Sequence, residues 1–407
     1  MSTYKNNNIC VFALLTFMIF PLLGISIMLL ANLSHERIDK FRLLFFFVLL
    51  ACYLGVINAT KIPISDQWYY WQAYKEVPKM GLEGSLHNVY SSFYFTTATS
   101  TKDMGFGLLN YIGYYLTLGC YPLFILVFTA ILYYCLFYAI FKYFTYLFND
   151  LEAKQRILSG VVTIAFFTQF FNLTIHLQRQ EIATSFIVLA MVLYIVRGQR
   201  NWLLICLAIS LHTSVIMFFP IFFTVKLVEH KSKKWLVYFI LCVSLVFLTL
   251  TNIAQYFLNA FNTDSSVVIN RLANMGNSEE ERMSMGIVLF MSLPMLYISI
   301  KRLFFQQQVQ IKRERIMLLF YIVIMIFVFI TPDNTMQYRF FMMTYIYIPF
   351  ILPLLLKNTL YDRMWLTLLP FIMVLRFFFT FENVAFEYAS IDEIIFYNPL
   401  SLLLYRT

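Results

Sequence analysis

Three arginines stand at or near the ends of apolar runs: Arg179 in Ile175-His176-Leu177-Gln178-Arg179-Gln180-Glu181, Arg339 in Gln337-Tyr338-Arg339, and Arg376 in the last long run. A guanidinium offers planar pairs of N–H donors that match phosphate oxygens two at a time. At the centre of a membrane helix a charge costs about 2.5–3.5 kcal/mol on insertion scales, so an arginine kept there is there for a reason. A lipid phosphate reached by a snorkelling side chain is one reason, and a bound anion is another. For Arg179 alone the two stand level; two or three such arginines favour the anion site. His176, Arg179 and Ala183 are spaced by three and four residues, so an unbroken helix carries imidazole, guanidinium and a small gap on one face.

A second constellation begins at Asp66. Asp66, Tyr70 and Tyr74 recur at four-residue intervals, which stacks them on one face of a helix opening near Ser65. Trp68 and Trp71 add aromatic surface. Aromatic rings beside a carboxylate hold sugars through CH–π contacts and hydrogen bonds to hydroxyls. An interfacial aromatic belt is the other reading, and for the tryptophans it is the stronger one.

These residues must be positioned by membrane helices. The chain is 61% apolar and 13% charged, with 45 Phe and 28 Tyr, which excludes an ordinary soluble domain and predicts an all-α polytopic membrane protein. The net charge of +9 comes from Lys and Arg clustered between apolar runs, a topology signal and not a nucleic-acid patch. The six cysteines have neither metal nor redox spacing and read as packing residues. Apolar runs predict about ten spans, near 9–31, 41–58, 120–141, 157–174, 180–196, 235–256, 286–304, 315–331, 339–356 and 364–381. The first is too long for a signal-peptide core and is expected to stay in place. Basic clusters put residues 32–42 and the loops at Lys142–Arg156, Arg197–Arg200 and Lys301–Arg315 inside. Segment 59–119, the loop 257–285 and the tail 382–407 fall outside.

Residues 201–225 break this alternation, because both flanks are basic: Arg197 and Arg200 before, Lys226 to Lys234 after. A re-entrant helical hairpin satisfies the charge rule, with Ser210-Leu211-His212-Thr213-Ser214 as its tip. Irregular backbone at such depth is tolerated where it is buried in protein or lines a wet cavity, so His212 would face one. A plain span with its histidine satisfied locally remains the other reading.

At these residues the chain resembles the Wzy-type polysaccharide polymerases, in their EpsG-like branch. The matching features are Asp66 with Tyr70, Gly105-Phe106 with Leu109-Asn110, Arg179-Gln180 with Ala183, His212 with Ser214, and Arg339, in that order along most of the chain. One departure is that Asn58 and Lys61 occupy the stretch where the family often carries an arginine. The resemblance implies one integral domain over residues 1–407, GT-C-like, in the bacterial cytoplasmic membrane with its active site facing outward. It implies a lipid-linked glycosyltransferase that polymerises undecaprenyl-diphosphate-linked oligosaccharide repeats into an O-antigen or exopolysaccharide. Its partners would be those lipid-linked glycans, membrane lipids and a chain-length regulator, with no cofactor, metal or nucleic acid. Arg179, Arg339, Gln180 and Arg376 would bind the diphosphate, and Tyr70, Trp71 and Tyr74 the glycan. Asp66 would be the general base, or else a helix cap; His212 is the next candidate, followed by Glu181 and Asp103. A glycan ligase shares this chemistry. A flippase or transporter is less well supported, since no paired broken-helix repeat is visible.

Overall fold

A computed structural model describes residues 2–34, 37–64, 66–87, 103–212, 215, 218, 285–305, 314–330, 334–355, 360–383 and 388–404. Every regular element among them is helical. The chain divides into two compact units, Met1–Phe219 with Leu356–Thr407, and Pro220–Leu355. The span expected at 235–256, the loop at 257–285 (but for its last residue) and the return arm after His212 (but for Val215 and Phe218) lie outside the described residues.

The first unit opens with a departure from expectation. The run 9–31 is not one span but two helices, α1 (Ser2–Ile19) and α2 (Pro21–Leu33). Phe20 is extended, and Pro21, which has no N–H to donate, starts the second helix. The two pack so closely that a Cβ on Gly24 would come within 2.6 Å of the Ala13 carbonyl oxygen.

Then come α3 (Lys40–Ala59), α4 (Asp66–His87), α5 (Met104–Leu116) and α6 (Tyr121–Leu147). Asp39 caps α3 by accepting from the Phe41 and Arg42 amides. At Gly55 the α6 backbone comes close, and a Cβ there would lie 2.6 Å from the Leu126 carbonyl oxygen. α6 also packs against α7 (Asp150–Ala165) and α9 (Gln178–Arg197). The run 157–174 is likewise no straight span: α7 and α8 (Thr168–His176) meet at 58°. At that bend the rings of Phe166 and Phe171 pack against Phe377, with centroids at 5.3 and 5.0 Å. α10 (Trp202–Leu211) ends at His212, whose backbone is extended. Its ten residues reach roughly 15 Å, half a hydrocarbon core of about 30 Å.

Among the described residues α3, α6 and α9 are long and apolar enough to cross a membrane, and α7 with α8 makes a fourth if the bent pair is one span. The remaining apolar helices are shorter. The rest of the first unit is the helix Leu360–Asn383 and two short helices, Ile391–Phe396 and Pro399–Leu403. The tail is stitched to α3: the Tyr53 hydroxyl donates to the Ile394 carbonyl, and the Ala389 amide donates to Thr60.

In the second unit Met285–Ile300 runs into a wider turn at Lys301–Phe305, and Glu314–Ile330 follows. The run 339–356, expected as a regular span, is a helix Asn334–Met343 followed by short turns through Leu355. Pro349 and Pro353 remove two helix donors there.

Candidate functional site at the head of α9

α9 begins without a capping side chain, since Leu177 precedes it. The first amides of a helix have no intrahelical acceptor, and the dipole makes that end favourable to anions. Arg179 stands in this first turn. Its Nη1 donates to Asp103 Oδ2 at 2.7 Å, and the two side chains are only 15% and 6% exposed. This is a sheltered ion pair, in which the carboxylate fixes where the guanidinium sits.

Asp103 is placed by an uncommon backbone. Its φ of 63° is left-handed, a conformation that aspartate tolerates better than most side chains. Although Asp103 precedes α5, its carboxylate does not cap that helix; it is turned to Arg179 instead. α5 then delivers Phe106 against Tyr70 of α4, with ring centroids 5.4 Å apart. The Tyr70 ring lies 5.8 Å from the Arg179 guanidinium carbon, within cation–π range. Asp66 opens α4 one turn earlier and is half-exposed, a position that the dipole of α4 favours for a carboxylate.

α10 reaches the same place through a glycine. A Cβ on Gly105 would overlap the side chain of Ser210, so α5 and α10 touch two residues before His212. His212 is half-buried and caps the end of α10. The heads of α4, α6 and α9 are joined at Tyr121, whose hydroxyl is bonded by Gln67 and by Gln178.

The structure therefore gathers Arg179, Tyr70 and the region of His212 around Asp103, with Asp66 one turn from Tyr70. Asp103, which by sequence stood with Glu181 behind Asp66 and His212 as a candidate base, is the direct partner of Arg179. Nothing local in the sequence announces a contact between residues 76 apart. Gln180 is buried, and its Nε2 has no hydrogen-bond partner among the described residues. Glu181 is buried as well.

Other placements differ from expectation. His176 and Arg179 do not share a helix face, because α8 ends at His176 and the backbone turns at Leu177. His176 bonds Lys61 instead, at 2.7 Å. Tyr70 and Tyr74 face α5 and α6 and are not left open as a glycan platform. Tyr74 is fully buried among Tyr114, Tyr121 and Phe124, with its hydroxyl bonded to Thr117. Burial pushes the Tyr74 phenol up to about 12, so it stays neutral. The surface aromatics are Trp68, exposed, and Trp71, half-buried with the Lys75 ammonium 3.5 Å from its ring centre. Arg376 is exposed on the helix Leu360–Asn383 and joins none of the contacts around Asp103. Arg339 lies on Asn334–Met343 in the second unit, and its side chain falls outside the described residues. Among the described residues no three His, Cys, Asp or Glu side chains gather as a metal site requires.

The model of the EpsG family matches residues 71–398, most of the chain. The chain belongs to the EpsG family. EpsG is a polysaccharide polymerase-like family. The stretch matched to EpsG takes in Asp103, Arg179, Gln180, His212, Arg339 and Arg376. Lys61, Asp66 and Tyr70 lie just before it. No curated protein and no solved structure matches the chain.

Proposed function

We propose that this EpsG-family protein polymerises undecaprenyl-diphosphate-linked oligosaccharide repeats by transferring the growing glycan en bloc to a new repeat. The observation that carries the reading is the sheltered Arg179–Asp103 pair at the uncapped head of a helix long and apolar enough to cross a membrane. In the reaction the bond from the glycan's anomeric carbon to the diphosphate breaks, and the acceptor hydroxyl oxygen forms a new bond to that carbon. The hydroxyl proton passes to a base, and undecaprenyl diphosphate leaves with the bonding electrons.

Negative charge therefore grows on phosphate oxygens as the bond breaks. Donors fixed beforehand stabilise that charge without reorganising. Arg179, held in place by Asp103, supplies charged donors, and the first amides of α9 add the helix dipole. The Gln180 Nε2 donor, buried in the same turn, belongs to this set. By sequence alone, Arg339 is the second candidate for binding a phosphate group. Asp66 and His212 are the groups for the acceptor's proton, Asp66 from the start of α4 and His212 from the end of α10. Trp68 and Trp71 offer ring faces to the sugars at the membrane surface.

The test is complementation of a polymerase-null strain, followed by sizing of the lipid-linked glycans. Wild type restores the long ladder. Arg179→Ala made together with Asp103→Asn, so that no unpaired charge is left buried, and Arg339→Ala made alone leave single repeats and no ladder per amount of protein in the membrane. Asp66→Asn and His212→Ala separate the proton acceptors: the base is the one whose loss stops turnover while donor binding persists. A normal ladder from both arginine variants overturns the reading.

A further inference from the structure

Lys61 follows α3 and is almost wholly buried, at 3% exposure. Its ammonium lies 2.7 Å from His176 Nε2 and 4.8 Å from the centre of the Tyr388 ring. An ammonium only donates, so the imidazole accepts at Nε2 and carries its proton on Nδ1. The Tyr388 hydroxyl donates to Asn172 Oδ1 on α8 at 3.2 Å, and the neighbouring Ala389 amide donates to Thr60 at 3.2 Å. Three stretches of chain meet at this point: the end of α3, α8 up to its joint with α9, and the tail.

His176 is the last residue of α8, and α9 begins two residues later. The bond from Lys61 therefore holds one side of the joint from which Arg179 projects. Asp103 holds the other side, through the guanidinium itself. A diphosphate site is sensitive to this joint, because a small misplacement of a fixed donor weakens binding and rate steeply.

We propose that Lys61 is a positioning residue for the diphosphate site. Bonded to His176 and seated on Tyr388, it sets the register of the α8–α9 joint and so the place of Arg179. The inference rests on the polymerase reading above.

The experiment uses the full-length protein in proteoliposomes, with an undecaprenyl-diphosphate-linked repeat as substrate. Lys61→Met is expected to lower kcat/KM by about 10- to 100-fold, chiefly through a raised KM, while Lys61→Arg keeps most of the wild-type value. His176→Ala is expected to match Lys61→Met, and the double variant to be no worse than either single one. Tyr388→Phe, which keeps the ring under the ammonium, stays near wild type. Wild-type constants for Lys61→Met, or losses that add in the double variant, overturn the proposal. So does a fall in kcat alone with KM unchanged, which marks a mere loss of folded protein. A wild-type protein that makes no polymer from this substrate sinks the polymerase reading itself, a different outcome from any of these.

Discussion

Arg179 and Asp103 depend on each other more than either depends on solvent. With 15% and 6% of their side chains exposed, neither is hydrated enough to stand alone. Removing one partner of a sheltered pair leaves the other charge uncompensated, at a cost of about 3–5 kcal/mol. Asp103→Ala is expected to lower the thermal midpoint in detergent markedly. Arg179→Met, which removes the charge needing compensation, combined with Asp103→Ala should recover much of that stability without recovering polymer. A midpoint for Asp103→Ala equal to wild type would show that the pair carries no such dependence. At this scale the sequence was half legible. Arginine at the mouth of an apolar run is conspicuous by type, because the membrane makes charge expensive. Its aspartate partner stood level with Glu181 behind Asp66 and His212, because nothing local in the sequence ties position 103 to position 179. Tyr74 misled for the converse reason: four-residue spacing shows which residues share a helix face, but not whether that face meets solvent or another helix.

Elements were read best where apolar runs were long. α3, α6 and α9 lie within a few residues of the runs 41–58, 120–141 and 180–196. The breaks were harder. Pro21 was a visible punctuation mark in the first run, and Pro349 and Pro353 in a later one. The bend between α7 and α8 contains neither Gly nor Pro, and rings from another helix pack against it, so nothing local could have announced it. The contacts that hold elements together turn on single glycines. Gly55→Ala would press a methyl against the Leu126 backbone, which cannot swing aside as a side chain can. The expected loss is about 1–3 kcal/mol, read as a lower thermal midpoint with activity per folded molecule retained. Gly105→Ala should behave differently. Its new methyl meets Ser210, displacing the end of α10 that carries His212, so activity should fall further than stability. That methyl would also lie 2.8 Å from the Ser210 backbone carbonyl carbon, so Ser210→Gly relieves only the side-chain part of the clash; an activity loss no larger than the stability loss would detach His212 from this contact.

Within the first unit the packing gathers most of the basic residues on α3, α6, α7 and α9 toward one end. Gly55, near the end of α3, meets Leu126, near the start of α6, so these two helices run in opposite directions. Gln178 and Tyr121 join the heads of α9 and α6, so those two run the same way. The Lys61–His176 bond brings the end of α3 to the joint before α9. It follows that Lys40 and Arg42 at the start of α3, Lys142 near the end of α6, Lys154 and Arg156 early in α7, and Arg197 at the end of α9 all lie toward the end away from Arg179. Basic residues gather on the cytoplasmic side of bacterial membrane proteins, which predicts that Arg179 faces outward. Ser34, six residues before α3, and Ile62, three residues after it, are both exposed and flank opposite ends of that helix. After the six native cysteines are replaced, Ile62→Cys should react with a membrane-impermeant maleimide added to whole cells. Ser34→Cys should react only after the membrane is opened. The opposite pattern would put Arg179 on the cytoplasmic side, away from lipid-linked glycans presented at the outer face, and the polymerase reading would lose its substrate.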